Sequence, residues 1–512
     1  MINITEMLDA SAAALPDNTA FSDPHKSITF RELQKRSKQT ACAFLSESLN
    51  CKIKPGKPVA FYMEKCVDAV VVMFAGVYSG AYYSFVDVRQ PAERAKRTIS
   101  ILDPAVIITD DENGQKLEEI LSGSAKIPVF NISKLLESTE KSDISDELLN
   151  ERKNGFYDLM PLYVNFTSGS TGDPKGVLVS HRSVIDFIEV FARDFDISDT
   201  DVLANQAPFD FDVSVKDVYS GLLTGAKVAL IPREYFSNPS TLMDYLCDNE
   251  ATVIIWAVSA MCFVSIMNGL DYRLPDKLKK IMFSGEQMPV KHLNRWKKYL
   301  PDAKYINLYG PTEITCNCTY HVLDREYEKG ETVPIGVPFE NEKVFLLDED
   351  DNPVTEPGRE GEICVSGTCL AIGYLKNEEK TAEVFVQNPL NKNYYERIYR
   401  TGDLGKYDEQ GLLYYISRKD FQIKHMGQRI ELGEIENAAI SSDGVEMACC
   451  LYDEKKQRIC LFYSGSAEKE TLSEEMHIKL PPYMIPGKTE RLDTLPLNKN
   501  GKIDRNKLKE LI

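Results

Sequence analysis

At 512 residues the chain exceeds what one hydrophobic core sustains, because single cores stop growing near about 250–300 residues, so two or more domains are expected. With 43% hydrophobic and 27% charged residues, it has the composition of a globular protein rather than a disordered, fibrous or membrane one. The 60 Lys and Arg against 78 Asp and Glu leave a formal charge of -18, which argues against nucleic acid and membrane insertion and confines any bound anion to a local pocket.

Residues 1–20 lack a basic leader region and carry Glu6 and Asp9, unlike a secretory signal. The 12 cysteines are scattered without the paired spacing of zinc sites and read as reduced thiols, so a cytoplasmic location is expected. Thr29 stands three residues before Glu32 and is followed by Leu33, Ala41, Phe44 and Leu45, which predicts a capping box opening an amphipathic helix. The apolar stretch 67–86 is interrupted by Gly76, Ser79, Gly80 and Ser84 and followed by Asp87. It reads as a buried helix running into a strand.

Next comes the run 162–166 and a glycine-rich turn. Beyond it, β-branched runs at 227–231, 252–258, 279–283 and 304–308 are separated by helical patterns such as 240–249 and 290–300. That alternation predicts parallel sheets covered by helices. After Tyr399 the chain turns to short strands and charged loops, and a second, smaller unit is expected to begin near Arg418.

The turn itself reads Thr167-Ser168-Gly169-Ser170-Thr171-Gly172-Asp173-Pro174-Lys175-Gly176. Its glycines let the backbone fold around an anion, its hydroxyls add donors, and Lys175 adds charge. This composition predicts a phosphate loop. It differs from the mononucleotide P-loop, because Pro174 stands where that motif needs Gly and Gly176 replaces the metal-binding hydroxyl residue.

Residues 163–180 (YVNFTSGSTGDPKGVLVS) resemble the signature loop of the adenylate-forming superfamily: acyl-CoA synthetases, luciferases and peptide-synthetase adenylation domains. Further blocks resemble that family in the same order: 209–214 (FDFDVS), 307–313 (NLYGPTE), 399–404 (YRTGDL), 418–436, 480–486 (LPPYMIP) and 500–505 (NGKIDR). The resemblance covers essentially the whole chain. It implies an α/β fold with a large N-terminal domain, 1–417, of two helix-covered mixed sheets plus a distorted β-barrel. A small α+β C-terminal domain, 418–512, would rotate and carry the catalytic lysine.

The chemistry implied is the activation of a carboxylate by ATP with Mg2+, then transfer to a thiol. Bringing a carboxylate to the α-phosphate joins two anions, so a cation must stand between them. Lys502, after the turn pair Asn500-Gly501, matches the family lysine with that role. Glu313 matches the magnesium ligand, with carboxylate oxygen suited to that ion. Thr167, Ser168, Gly169, Ser170, Thr171, Gly172 and Lys175 are the implied phosphate cradle, with Thr167 and Lys175 also implied in catalysis. Tyr309 resembles the ring packed on adenine, Asp403 the acceptor of the ribose diol, and Arg418 the residue near sugar and phosphate. Gly285, Glu286, Asn307, Gly310 and Thr312 complete the implied nucleotide site. For the second state, Asp420 matches the hinge, Gly427 the thiol-channel loop and Phe211 the gate beside it.

Asp212 matches the carboxylate that accepts the substrate ammonium in relatives activating α-amino acids; a structural N-cap is the alternative. The remaining implied pocket residues are Val213, Lys216, Trp256, Met282, Ser284, Leu308, Cys316 and Asn317. Trp256 and Met282 would shrink the pocket toward a small side chain such as alanine or serine. Lys216 would suit a carboxylate or other polar substituent if it points inward, and says nothing if it snorkels outward. In length, and in having no appended carrier domain, the chain resembles free-standing D-alanyl carrier protein ligases. It departs from them in having Ser284 where they have Cys before Gly285-Glu286. A stand-alone peptide-synthetase adenylation domain is the equal expectation, and either would act as a monomer delivering to a separate phosphopantetheinyl carrier protein. An acyl-CoA synthetase, which Asp212 argues against, and a silent binding protein of the same fold are the alternatives.

Overall fold

The computed structural model describes the chain except residues 47, 48, 50–52, 124, 125, 169–173, 329, 420, 421 and 497–502 and the side chain of Asn506. Among the described residues the large N-terminal domain holds three sheets. The widest has nine strands. Its centre is the parallel set Lys227–Leu230, Val202–Asn205, Val253–Ala257, Lys280–Ser284 and Lys304–Tyr309, in that spatial order, with antiparallel strands added at both edges. The strands alternate with helices such as Pro239–Asp248 and Val290–Tyr299, close to the runs expected.

The second sheet has seven strands and is parallel through Val129–Asn131, Val106–Thr109, Pro58–Tyr62, Tyr82–Phe85 and Pro161–Thr167. From there Lys175–Ser180 turns back antiparallel. The stretch expected to be a buried helix running into a strand is helix Val67–Tyr78, apolar and buried on all sides, followed by Tyr82–Phe85. Helix Phe30–Leu45 opens on the capping box. The Thr29 hydroxyl accepts from the Glu32 amide at 3.2 Å, and the Glu32 carboxylate accepts from the Thr29 amide at 3.0 Å.

Helix Val213–Thr224 is wedged between the two large sheets. Its side chains Val215, Val218 and Leu222 enter a core shared with both, and its Tyr219 hydroxyl meets that of Tyr83, from the second sheet, at 2.8 Å. Burying each such aliphatic side chain contributes about 1.5–3 kcal/mol, so this helix is among the most firmly held elements of the molecule. The third sheet is antiparallel, six-stranded and built around Glu360–Gly367 and Arg397–Tyr407. It ends with Leu413–Arg418 and takes the place of the expected distorted barrel.

The small C-terminal domain begins with the hairpin Gln422–His425 and Gln428–Glu431. A three-stranded sheet, Val445–Asp453, Arg458–Gly465 and Lys488–Arg491, packs on helices Leu432–Ile440 and Lys469–Lys479 around Ile435, Leu461, Tyr463 and Met476. It is α+β, as expected. The hairpin leans back onto the large domain, and an ion pair between Arg94 and Glu434 ties the two together.

Candidate functional site

The flanks of the glycine-rich turn are strand ends held in register, Thr167 opposite Lys175. The Thr167 hydroxyl donates to the Lys175 carbonyl at 3.5 Å. Ser168 is buried, donates to the Arg429 carbonyl at 2.6 Å and accepts from the Glu431 amide at 3.2 Å. Gly169, Ser170, Thr171, Gly172, Asp420 and Lys502 lie outside the described residues.

Across the pocket, strand Lys304–Tyr309 ends in Gly310 and the turn Thr312–Ile314. Gly310 is required by close approach: a Cβ there would stand 2.5 Å from the Asn317 Cα and 2.7 Å from the Cys316 carbonyl oxygen. Glu313 is 1% exposed. One Arg429 guanidinium nitrogen lies 2.8 and 2.7 Å from its two oxygens, and the Tyr374 hydroxyl donates at 2.7 Å. Burial alone would raise the Glu313 carboxyl, but the Arg429 charge and the Tyr374 hydrogen bond hold it below its ordinary value. A buried carboxylate kept ionised by a cation is suited to a metal ion. One carboxylate with substrate phosphates is the usual complement of magnesium, which dispenses with an all-protein cage. Among the described residues no group of three or more His, Cys, Asp or Glu that could hold a metal occurs.

Behind this turn the Tyr309 hydroxyl donates to one oxygen of Asp403 at 2.5 Å, and Arg418 donates to the other at 2.6 Å. Asn307 donates to the Pro334 carbonyl at 2.8 Å. The strand Lys280–Ser284 runs into Gly285, at φ +97°, and Glu286. The sequence-predicted nucleotide residues that are described thus come from all three sheets of the large domain onto one pocket.

The small-domain hairpin enters the same pocket and supplies contacts that sequence reasoning missed. Besides Arg429 on Glu313, Glu431 pairs with Lys175 at 3.3 Å, and Lys424 stands 5.8 Å over the Tyr309 ring. Burial pulls the Lys175 ammonium below its ordinary value, with Glu431 acting against that shift. At the hairpin tip Met426 and Gly427 both have positive φ, the requirement of a two-residue turn that follows the twist of its strands. The Gly427 amide donates to Glu286 at 3.1 Å, and a Cβ at 427 would touch that of Ala257 at 3.4 Å. The block 418–436 was the available signal for Arg429, Glu431 and Lys424, but nothing in it ranked them. Tyr374 lies in no recognised block.

The residues expected to bind the substrate are gathered around helix Val213–Thr224. Asp212, 6% exposed, occupies the N-cap position with helical backbone angles, yet its carboxylate makes no capping bond, so the N-cap alternative fails. Burial pushes this carboxyl up, with Lys216 and a hydrogen bond from Thr312 acting against the shift. Lys216, 0% exposed, points inward and donates to Asn317 Oδ1 at 2.6 Å. The Cys316 thiol donates to the Asp212 carbonyl at 3.1 Å. Val213, Met282, Ser284 and Leu308 are buried, with Ser284 opposite Leu308 in register, while Phe211 is half-buried against the same core.

Trp256 is a correction. Strand side chains alternate between faces, and Ile255, paired with Met282, shares the core of the pocket helix, whereas Trp256, paired with Phe283, belongs to the core on the opposite face. Its indole donates to the Ala204 carbonyl at 2.9 Å and its ring packs on Phe236. Trp256 therefore does not line the amino-acid pocket, and half of the argument for a small substrate side chain falls with it.

Residues 8–375 match the family model described as AMP-binding enzyme. The chain is 32% identical to zwittermicin A synthase ZmaJ of Bacillus cereus over 99% of this chain and 94% of that one. It is also 32% identical to an L-proline--[L-prolyl-carrier protein] ligase of Streptomyces coelicolor, over 95% of this chain and 92% of that one. Other relatives, at 31% identity, are far longer, and the chain spans 9% and 14% of their length. In fold it is similar to holo-PA1221, an NRPS protein containing adenylation and PCP domains, with a TM-score of 0.83 at 24% identity over 100% of this chain and 84% of that one.

Proposed function

The chain belongs to the AMP-binding enzyme family, whose adenylating members use ATP and Mg2+, and from that premise we propose that it is an amino-acid ligase delivering to a carrier protein. It forms an aminoacyl-AMP with release of pyrophosphate, then passes the aminoacyl group to the phosphopantetheine thiol of a separate carrier protein. The observation that carries this reading is the buried Asp212 carboxylate, bonded by Thr312 one residue from Glu313, so that an amine-accepting anion borders the nucleotide residues. The relative of similar length named as a prolyl-carrier protein ligase supports the same reaction class.

In the first half-reaction the substrate α-ammonium pairs with Asp212, leaving its carboxylate facing the α-phosphorus. The carboxylate oxygen bonds to that phosphorus as the bond to the bridging pyrophosphate oxygen breaks. Lys502 neutralises the charge shared by the two anions, while Thr167, Ser168 and Lys175 hold the phosphates and Asp403, Arg418 and Tyr309 hold the nucleoside. Glu313 would hold Mg2+, which when bound supplies positive charge to the departing phosphates. In the second half-reaction the carrier sulfur bonds to the acyl carbon and AMP leaves. A rotation of the small domain, 418–512, against 1–417 exchanges Lys502 for the hairpin bearing Gly427, with Asp420 as pivot. The hairpin lying on Glu286, Glu313 and Lys175 supports the second arrangement as the one described above.

Among the described residues no helix is long and apolar enough to cross a membrane. The deciding experiment is exchange of labelled pyrophosphate into ATP, dependent on amino acid, across both enantiomers of the common amino acids. Exchange with some amino acid and with no fatty or aryl acid is expected. Exchange driven by an acid lacking the amine, or none at all, overturns the reading.

A further inference from the structure

With Trp256 turned away, the polarity of the amino-acid pocket comes from helix Val213–Thr224 and the turn that faces it. Buried ionisable side chains, Asp212, Lys216, Asp217 and Lys65 among them, run through it. Asp212 and Lys216 lie one helical turn apart, roughly 6 Å along the axis. Asp217, the next residue, turns to Asn205, whose amide donates to its carboxylate at 2.8 Å. Lys65 stands beyond, held by the Asn205, Gln206 and Ala207 carbonyls and the Asn205 side chain at 2.6–3.0 Å. Lys216 is thus set between the carboxylates of Asp212 and Asp217, while Lys65 acts on Asp217 from the other side.

An incoming α-ammonium adds a cation at Asp212, so that Lys216 shares that carboxylate with a second positive charge. Lys216 then keeps a neutral amide, Asn317 Oδ1 at 2.6 Å, although an ammonium has three protons to donate. The carboxylates that act on it are Asp212 and Asp217, and Asp217 is already engaged by the Asn205 amide at 2.8 Å and by Lys65. A fully buried ammonium that shares its carboxylates with other cations is under-compensated, so a further negative charge beside Lys216 is stabilising.

We propose that the substrate supplies it: Lys216 selects an α-amino acid whose short side chain ends in a carboxylate, one or two methylenes from Cα. The α-ammonium pairs with Asp212 and the side-chain carboxylate with Lys216, both groups projecting from one helix. This rests on the amino-acid adenylation reading and replaces the alanine or serine expectation, which leaned on Trp256.

The test is pyrophosphate exchange by the full-length wild-type enzyme with aspartate, glutamate, asparagine, glutamine, alanine and serine, in both enantiomers. An acidic amino acid should exceed its amide counterpart in kcat/KM by at least ~100-fold, the scale of leaving one buried charge unmatched. Lys216→Met should remove that preference, chiefly through KM for the acidic substrate, and raise relative activity with neutral side chains. A wild-type ranking led by a neutral amino acid overturns the proposal while leaving amino-acid adenylation intact. Exchange with no amino acid would instead remove the reading beneath it. Because the wild-type ranking decides alone, the result stands even if Lys216→Met fails to fold.

Discussion

One guanidinium nitrogen of Arg429, in the small domain, bridges both carboxylate oxygens of Glu313, in the large domain, at 2.8 and 2.7 Å. The proposed magnesium ligand is therefore neutralised by a side chain of the protein itself, and beside it Glu431 does the converse for Lys175 at 3.3 Å. On the proposed mechanism the inserted hairpin thus holds, through Arg429 and Glu431, the side chains that serve the metal and the phosphates in the first half-reaction, and the two uses alternate.

Arg429→Met should separate the half-reactions. Without the arginine, Glu313 is left buried and unmatched in the hairpin-inserted state, a penalty of about 3–5 kcal/mol that slows thiol transfer by roughly 10² or more. Adenylation, in which Glu313 serves the metal, should change by less than about 3-fold. Single-turnover measurements of each step check this, and equal losses in both would count against the exchange.

Lys502→Ala should show the opposite split. Adenylation is expected to fall by at least roughly 10²–10³, the scale of removing one charge-stabilising group, while transfer from supplied aminoacyl-AMP falls far less. If transfer is suppressed as strongly, the lysine is not specific to the first state.

Asp212→Ala should abolish amino-acid-dependent exchange, since the substrate ammonium would enter a buried pocket with no anion to meet it. Folded stability should also fall, by about 1–3 kcal/mol, because Asp212 accepts a hydrogen bond from Thr312 and offsets the buried Lys216 ammonium. Exchange kinetics together with a melting curve separate this outcome from misfolding.

His181 should make the fold acid-sensitive. Burial lowers this imidazole from 6.5 to about 3, and its Nδ1 accepts from the Ile4 amide at 3.2 Å, which requires the neutral ring. Between those values the unfolded chain binds a proton that the folded chain refuses. The stability is complete above pH 6.5 and declines by about 1.4 kcal/mol for each unit below it. Melting temperatures from pH 7 to 5 should fall more steeply for wild type than for His181→Asn, whose Oδ1 can keep the acceptor. Identical slopes would show that another group governs acid loss.

Thr29→Ala should destabilise the protein by about 1 kcal/mol, through loss of the side-chain acceptor at the start of helix Phe30–Leu45. Denaturant titration reads this directly, and a change below the measurement error would mean that the helix start is held by packing alone.

Much of the scaffold was legible before the structure, because its signals are local. The Thr29 and Glu32 spacing gave the helix start, and the β-branched runs gave the parallel strands within a residue or two. Trp256 shows where local reading stops: a one-residue slip along a strand turns a side chain from one face to the other, and composition alone does not fix that register. The direction of Lys216 was equally closed to sequence, since its long stem can carry the charge inward or outward. Arg429 and Glu431 went unseen for a third reason. Their partners lie 116 and 256 residues away in the chain, and only the seating of one domain on the other brings them together.

The helix bearing Asp212 and Lys216 is clamped between two sheets and anchored through the Tyr219 and Tyr83 hydroxyls. On the reading proposed above, its pitch works as a ruler whose first mark reads the backbone of the ligand and whose second reads what the ligand carries. Rewriting the second mark alone would give the protein a new vocabulary of monomers while the grammar of activation stays untouched, which makes position 216 the natural place to begin redesign.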